Sequence, residues 1–137
     1  MRVILDTNIL IAALVSRGTP PDRLYQGWRA GQFKLITLEL QIDEIRNVTR
    51  RAGVKLNILP TEVGRMVNDM RSLASMVNML PAGEVSPDPF DNFLLVMAEA
   101  SHADVLVTGE KRGLLDLVAH RATRILKARA ALELLGG

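Results

Sequence analysis

Arg2-Val3-Ile4-Leu5-Asp6-Thr7-Asn8 is an apolar run that ends in an acid with no spacer. Val3 to Leu5 is too hydrophobic for a surface turn, and its β-branched and aliphatic side chains predict a buried strand over residues 2–6. In an open parallel sheet, ligands bind in the crevice outside the carboxyl ends of the strands. A central strand here therefore aims Asp6 at a functional place. Ala103-Asp104-Val105-Leu106-Val107-Thr108-Gly109-Glu110 repeats the arrangement late in the chain. Two strands that each deliver a carboxylate to one sheet edge point to a cation site.

Strand and helix patterns alternate between these two segments. Asn8 to Val15 is apolar and helix-compatible. Pro20-Pro21-Asp22 opens a second helix that ends near Gly31, since Pro suits a first turn. Phe33 to Thr37 reads as a strand. Thr37 is placed to cap a helix running to about Arg51, which Gly53 closes. Pro60-Thr61 opens another helix, with Val63, Met66, Val67, Met70, Leu73, Ala74 and Val77 at helical spacing. Met76 to Leu80 reads as a brief strand. The most turn-rich stretch, from Pro81 to Pro89, precedes an almost wholly apolar helix over 90–101. Lys111 to Val118 reads as a short helix, Thr123 to Leu126 as a last strand, and Lys127 to Leu135 as a last helix. Alternation of this kind implies βαβ units and a parallel sheet covered on both faces. The expectation is a single domain over residues 1–137, a length that suits one real core.

Composition narrows the chemistry. Hydrophobic residues make up 48% and charged residues 23%, the balance of a soluble globular chain. With no cysteine and only His102 and His120, a zinc site of nitrogen and sulfur ligands is disfavoured. Any metal would be held by oxygen, which favours magnesium or manganese. The uncharged stretch from Thr7 to Ser16 is too short to span a membrane, and Asp6 interrupts what would be a signal-peptide core. A cytoplasmic protein with no membrane contact is expected.

Net charge is +2, from 17 basic and 15 acidic residues. Its distribution says more. Arg46, Arg50, Arg51 and Lys55 form a run with no acid between them, and Lys111 to Arg129 holds six bases against Asp116 alone. With four of the 15 acids set aside in a metal site, 17 bases face 11 acids. A basic rim around an acidic centre suits a polyanion whose phosphates meet bound cations.

Four acids come from four separate βα units. Asp6 ends the first strand, where capping the next helix is its alternative use. Glu44 falls about 40° from Val48 on the helical wheel, at the border of the stripe Leu38, Ile42, Ile45, Val48 and Ala52. Asp91 lies in the first turn of the 90–101 helix with Asp88 just before it, and both positions also suit capping. Glu110 follows Thr108-Gly109 and would equally serve a helix first turn. Together, clustered carboxylates repel in low dielectric and need a cation. One or two magnesium or manganese ions there would acidify a bound water and steady the leaving oxygen of a phosphodiester. Asn8, Thr108, Asp88 and Asn92 are the polar neighbours placed to hold the carboxylates in orientation.

These residues resemble the PIN domain family over nearly the whole chain. The carriers are Val3-Ile4-Leu5-Asp6-Thr7-Asn8, Glu44-Ile45, Asp88-Pro89-Phe90-Asp91-Asn92, and Leu106-Val107-Thr108-Gly109-Glu110 with Gly113-Leu114-Leu115. The resemblance implies a Rossmann-like three-layer α/β/α sandwich with a central parallel sheet. It also implies a magnesium- or manganese-dependent endoribonuclease, and is nearest to toxins of toxin–antitoxin pairs. RNA would be the substrate, a small antitoxin protein the partner, and a homodimer or higher homo-oligomer the assembly. Met66, Met70 and Met76 are candidates for a dimer surface, with core filling as their alternative use. Asp6, Glu44 and Asp91 match the family's metal-binding acids.

At the fourth position the family usually has Asp, and this chain has Glu110, whose extra methylene moves the carboxylate by ~1.5 Å, which metal geometry tolerates through a water or answers with weaker binding. Lys127-Ala128 also stands where the family often begins its last helix with Thr-Pro. Two rival readings follow. One is a PIN-fold module with weak or no catalysis that binds RNA or protein, which Glu110 favours. The other is phosphotransfer through an aspartyl nucleophile at Asp6, which Asn8 disfavours because such enzymes carry a second Asp at that place.

Overall fold

The computed structural model describes residues 1–77, 89–109 and 119–135, with residues 89–92 and 120 described by their backbone alone. Asp88, Glu110 and the expected helix over 111–118 lie outside the described residues. The elements are β1 (Arg2–Leu5), α1 (Thr7–Val15), α2 (Pro20–Arg29), β2 (Lys34–Thr37), α3 (Glu39–Ala52) and α4 (Pro60–Leu73). They continue with β3 (Ser75–Met76), α5 (Pro89–Ser101), β4 (Val105–Val107), β5 (Ala119–His120), β6 (Thr123–Leu126) and α6 (Ala128–Leu134).

Alternation within β1 sets the layers. Val3, Ile4 and Leu5 are all fully buried, which a strand achieves only when both faces of its sheet are covered. Val3 and Leu5 pack into one core cluster, with residues of α1, α2, α3, α4 and α6. Ile4 points the other way and packs with Ile36 and Leu106 against Leu94, Leu95, Met97 and Ala98 of α5. The result is a three-layer α/β/α sandwich of Rossmann type, with α5 alone supplying the second helical layer among the described residues.

The strand order is β3-β2-β1-β4-β6-β5. The chain steps from β1 outward through β2 and β3, then returns to place β4 on the other side of β1. The direction of winding therefore reverses between β1 and β4, and at such a reversal the sheet opens a crevice at its carboxyl edge. All pairings are parallel except β5–β6. That antiparallel hairpin is an addition to the expected parallel sheet. It carries no Gly or Asn signal, because Arg121 itself takes the left-handed conformation (φ 53°), and an ion pair from its Nε to Glu99 at 2.6 Å ties it to α5.

Gly53 does close α3, as its C-cap, though with right-handed backbone (φ −58°); a Cβ there would clash with the Thr49 carbonyl oxygen. Two local expectations change. Thr37 does not cap α3: the N-cap is Leu38, with no side-chain cap bond, and the Thr37 hydroxyl is used elsewhere. The stripe of α4 also ends sooner than its periodicity suggests. Met66, Val67 and Met70 are core residues, but Leu73 is 57% exposed. Ala74 has already turned into extended backbone, and the Val77 N–H donates to the Thr37 carbonyl beside β3. Met66 and Met70 thus fill the core and offer nothing to a dimer surface.

Helix α2 docks on α4 through a partly buried polar contact at the rim of the apolar layer. The Tyr25 hydroxyl donates to Asp69 Oδ2 at 2.8 Å, and Arg29 Nε sits 3.2 Å from the same oxygen. Burial first, and the bond to Asp69 second, push the Tyr25 phenol above its ordinary value of 10.0. In the unfolded chain that phenol ionises near 10, while the folded chain keeps its proton, so stability falls as pH rises past 10. Tyr25 is the sole tyrosine, so its ionisation can be followed directly in the ultraviolet. We expect the native transition to lag that of the denatured chain. We also expect Tyr25→Phe to remove the corresponding part of the stability loss in denaturant melts above pH 10. Identical transitions in the native and denatured states would refute the assignment.

Candidate active site

The site grows from the register of the two central strands. Leu5 pairs with Val107 across β1 and β4, so the next residues out are Asp6 and Thr108. The ladder continues through them: the Asp6 N–H donates to the Val107 carbonyl, and the Thr108 N–H to the Leu126 carbonyl. Side chains two apart share a face, so Asp6 falls on the side of Ile4, and Thr108 on the side of Leu106. Both face the α5 layer. The Thr108 hydroxyl donates to Asp6 Oδ2 at 2.7 Å.

Asp6 is 1% exposed and Thr108 fully buried. A carboxylate taken so far out of water is costly unless its oxygens are satisfied. The other oxygen, Oδ1, accepts from the Asn8 backbone N–H at 3.4 Å, so Asp6 also caps α1. Capping and site geometry are not rivals at this position. The carboxylate is held by the helix it starts and by the strand beside it. Asn8 acts here through its backbone; its side chain is exposed.

A polar clamp behind Asp6 is what sequence reasoning missed. Gln41, fully buried in the first turns of α3, donates from Nε2 to the Leu5 carbonyl at 2.7 Å and lies 3.5 Å from Thr7 Oγ1. Its Oε1 accepts from the Thr37 hydroxyl at 2.6 Å. One amide thus joins the carboxyl ends of β1 and β2 to α3. The signal was available: Gln41 has Leu38 three residues before it and Ile45 four after, an apolar frame that buries whatever stands between.

Glu44 lies one turn beyond Gln41 on the neighbouring face of α3 and is half-buried, in keeping with its border position. Asp91 lies in the first turn of α5. The other end of that helix is pinned at the amino edge of the sheet, where Arg2 Nε donates to the Ser101 carbonyl at 2.8 Å. Thirteen helical residues run about 20 Å back from there, so α5 brings its first turn toward the edge where Asp6 sits. The side chains of Asp91 and Asn92, and all of Asp88 and Glu110, lie outside the described residues. Among the described residues no three His, Asp or Glu side chains are grouped closely enough to hold a metal ion. His102 sits in the α5–β4 connection at the opposite edge, so the histidine nitrogen described there is remote from this crevice.

A cavity of about 460 Å³ opens beside the Asp6–Thr108 pair, and Lys127 and Arg129 are among its lining residues. Both are exposed. Two cations thus stand at the same sheet edge as the buried carboxylate, across Asn8 and Thr108 from it. No helix among the described residues is long and apolar enough to cross a membrane.

No curated protein matches this chain significantly. The sequence pattern of the PIN domain matches residues 2–112, a span that holds β1, α3, α5 and β4 with all four candidate acids, and the chain belongs to the PIN domain family.

Proposed function

We propose that the chain is a magnesium- or manganese-dependent endoribonuclease. PIN domains are generally nucleases, commonly ribonucleases. The observation that supports this use of the fold is Asp6. It is a carboxylate buried at the switch point of the sheet, braced by Thr108 and the start of α1. Asp6, Glu44, Asp91 and Glu110 would hold the ion, and an all-oxygen set of this kind suits a hard cation. Once bound, the ion supplies positive charge at the scissile phosphate and acidifies a water. The chain's own part is orientation and steering. Thr108 and the Asn8 N–H fix the plane of the Asp6 carboxylate. Gln41 holds the backbone at Leu5, directly before it. Lys127 and Arg129 draw the phosphate backbone to the edge where that carboxylate sits.

The reading is tested by cleavage of single-stranded RNA in the presence of manganese, with Asp6→Asn as the control. A finer test addresses Thr108. Thr108→Val removes the donor to Asp6 Oδ2 without changing the shape of the side chain. We expect the manganese concentration for half-maximal cleavage to rise about 10–100-fold, as when partners of metal ligands are lost. The rate at saturating manganese should stay near wild type, and Thr108→Ser should restore the affinity. Unchanged manganese dependence in Thr108→Val would separate this hydroxyl from the ion.

The family resemblance supports a cytoplasmic toxin with a small antitoxin partner, assembled as a homodimer or higher oligomer. Growth arrest on expression, relieved by a small DNA-binding protein encoded in an adjacent overlapping frame, is the corresponding experiment. Glu110, in place of the family's usual Asp, supports a second reading: a module that binds RNA and turns it over weakly or not at all. Tight RNA binding without divalent cations, and no cleavage with them, would select it.

A further inference from the structure

The cavity beside Asp6 has a chemistry of its own. Its volume, about 460 Å³, lies within the range of small-molecule sites, roughly 300–1,000 Å³. That suits one nucleotide better than a helix or a long peptide. Its apolar surface comes from Ile9 and Ala12 of α1, Pro20 and Pro21 at the start of α2, and Ala128. Ala12, Ala128 and the two prolines are short or flat side chains that leave room for a planar ring against them. Lys127 and Arg129 supply two cations, and the described lining includes no acid. The cavity also adjoins the candidate active site. Asn8 and Thr108 line it, and the Asn8 N–H and the Thr108 hydroxyl both donate to the Asp6 carboxylate. These two residues stand between an occupant of the cavity and Asp6.

We propose that this cavity is a nucleotide subsite. It takes the base of the nucleotide next to the scissile phosphate against Pro20, Pro21 and Ala128, while Lys127 and Arg129 hold the following phosphate. The proposal rests on the nuclease reading for its location, and on the cavity's own chemistry for its ligand. A base buries its apolar face against such a surface without strong sequence preference, and the phosphates add a salt-dependent term.

The test uses the full chain in two assays: anisotropy of a labelled single-stranded RNA in EDTA, where binding is read without turnover, and manganese-dependent cleavage of the same RNA. Two variants probe the cavity by different routes. Ala128→Leu narrows it without offering a ring to stack on, and Lys127→Ala/Arg129→Ala removes its cations while leaving its floor intact. Each is expected to weaken RNA binding about tenfold. The double variant should also reduce the slope of log affinity against log salt by about 0.7, for the one phosphate no longer neutralised. Lys34→Ala, exposed at the amino-edge start of β2 and so at the opposite edge of the sheet, should bind within about twofold of wild type, its charge lying away from the cavity.

If both cavity variants bind as wild type does, or if Lys34→Ala loses as much, the subsite is overturned whether or not the wild type cleaves RNA. If the wild type fails to cleave while the cavity variants lose binding, the hydrolytic reading falls and the subsite stands. A wild type that neither binds nor cleaves RNA overturns both.

Discussion

Asp6→Asn is expected to lower manganese-dependent RNA cleavage by on the order of 10²–10³-fold, the loss typical when a group that positions transition-state charge is removed. The substitution is close to isosteric, and both described contacts can be kept with one of them reversed. The Asn side-chain oxygen can accept from the Asn8 N–H while its amide donates to the Thr108 hydroxyl oxygen, and Asn caps helices about as well as Asp. Removing a buried negative charge also relieves a desolvation penalty. Stability should therefore stay within about 1 kcal/mol of wild type, or rise, so lost activity would not report unfolding. A second readout follows from linkage. An ion that binds only the folded state raises its melting temperature. Manganese should stabilise the wild type and leave Asp6→Asn much less affected. A variant that cleaves RNA as fast as wild type would remove Asp6 from the chemistry, and with it the proposed site.

The parts of this molecule that are legible in its sequence are those where one residue's chemistry determines its place. Val3-Ile4-Leu5 could only be a strand buried on both faces, and it is. Asp6 could be a cap or a ligand-facing acid; one oxygen does cap α1, and the other accepts from Thr108. Glu44 stands at the border of its apolar stripe and is half-buried there. What the sequence hides is set by tertiary partners. Thr37 has the composition of an N-cap, but a buried amide four residues on offers its hydroxyl a better acceptor. The helical periodicity past Met70 continues into Val77, yet the chain leaves the helix at Ala74 because β2 offers Val77 a strand partner. The β5–β6 hairpin is invisible because its left-handed turn residue is an arginine tied down from outside the turn by Glu99. Gln41 is easily passed over because polar residues in helices are usually solvated, whereas its apolar flanks signal burial.

Gln41 also carries the largest stability prediction. Gln41→Leu keeps the volume and removes every polar contact of the side chain. The Leu5 carbonyl loses the donor at 2.7 Å and the Thr37 hydroxyl loses its acceptor at 2.6 Å, and Thr37 is itself fully buried. Each stranded buried group costs about 1–3 kcal/mol, so a loss of about 3 kcal/mol is expected in urea melts. The added apolar surface offsets little of it, because the site is already dry. Thr37→Val alone leaves the Gln41 oxygen without its donor and should cost about 1–2 kcal/mol. The pair tests the mechanism more sharply than either single change. Once Gln41 is Leu, the Thr37 hydroxyl has no partner to lose, so Thr37→Val should then be nearly neutral or stabilising. The double-mutant cycle should accordingly show a coupling of about 1 kcal/mol or more. Strict additivity would mean that the clamp contributes nothing as a unit. The same variant links stability to chemistry. Gln41 fixes the backbone at Leu5, one residue before Asp6, so Gln41→Leu should also lower RNA cleavage at temperatures where the protein is fully folded. A variant that lost stability but kept full activity would confine Gln41 to the fold and leave the orientation of Asp6 to Thr108 and α1.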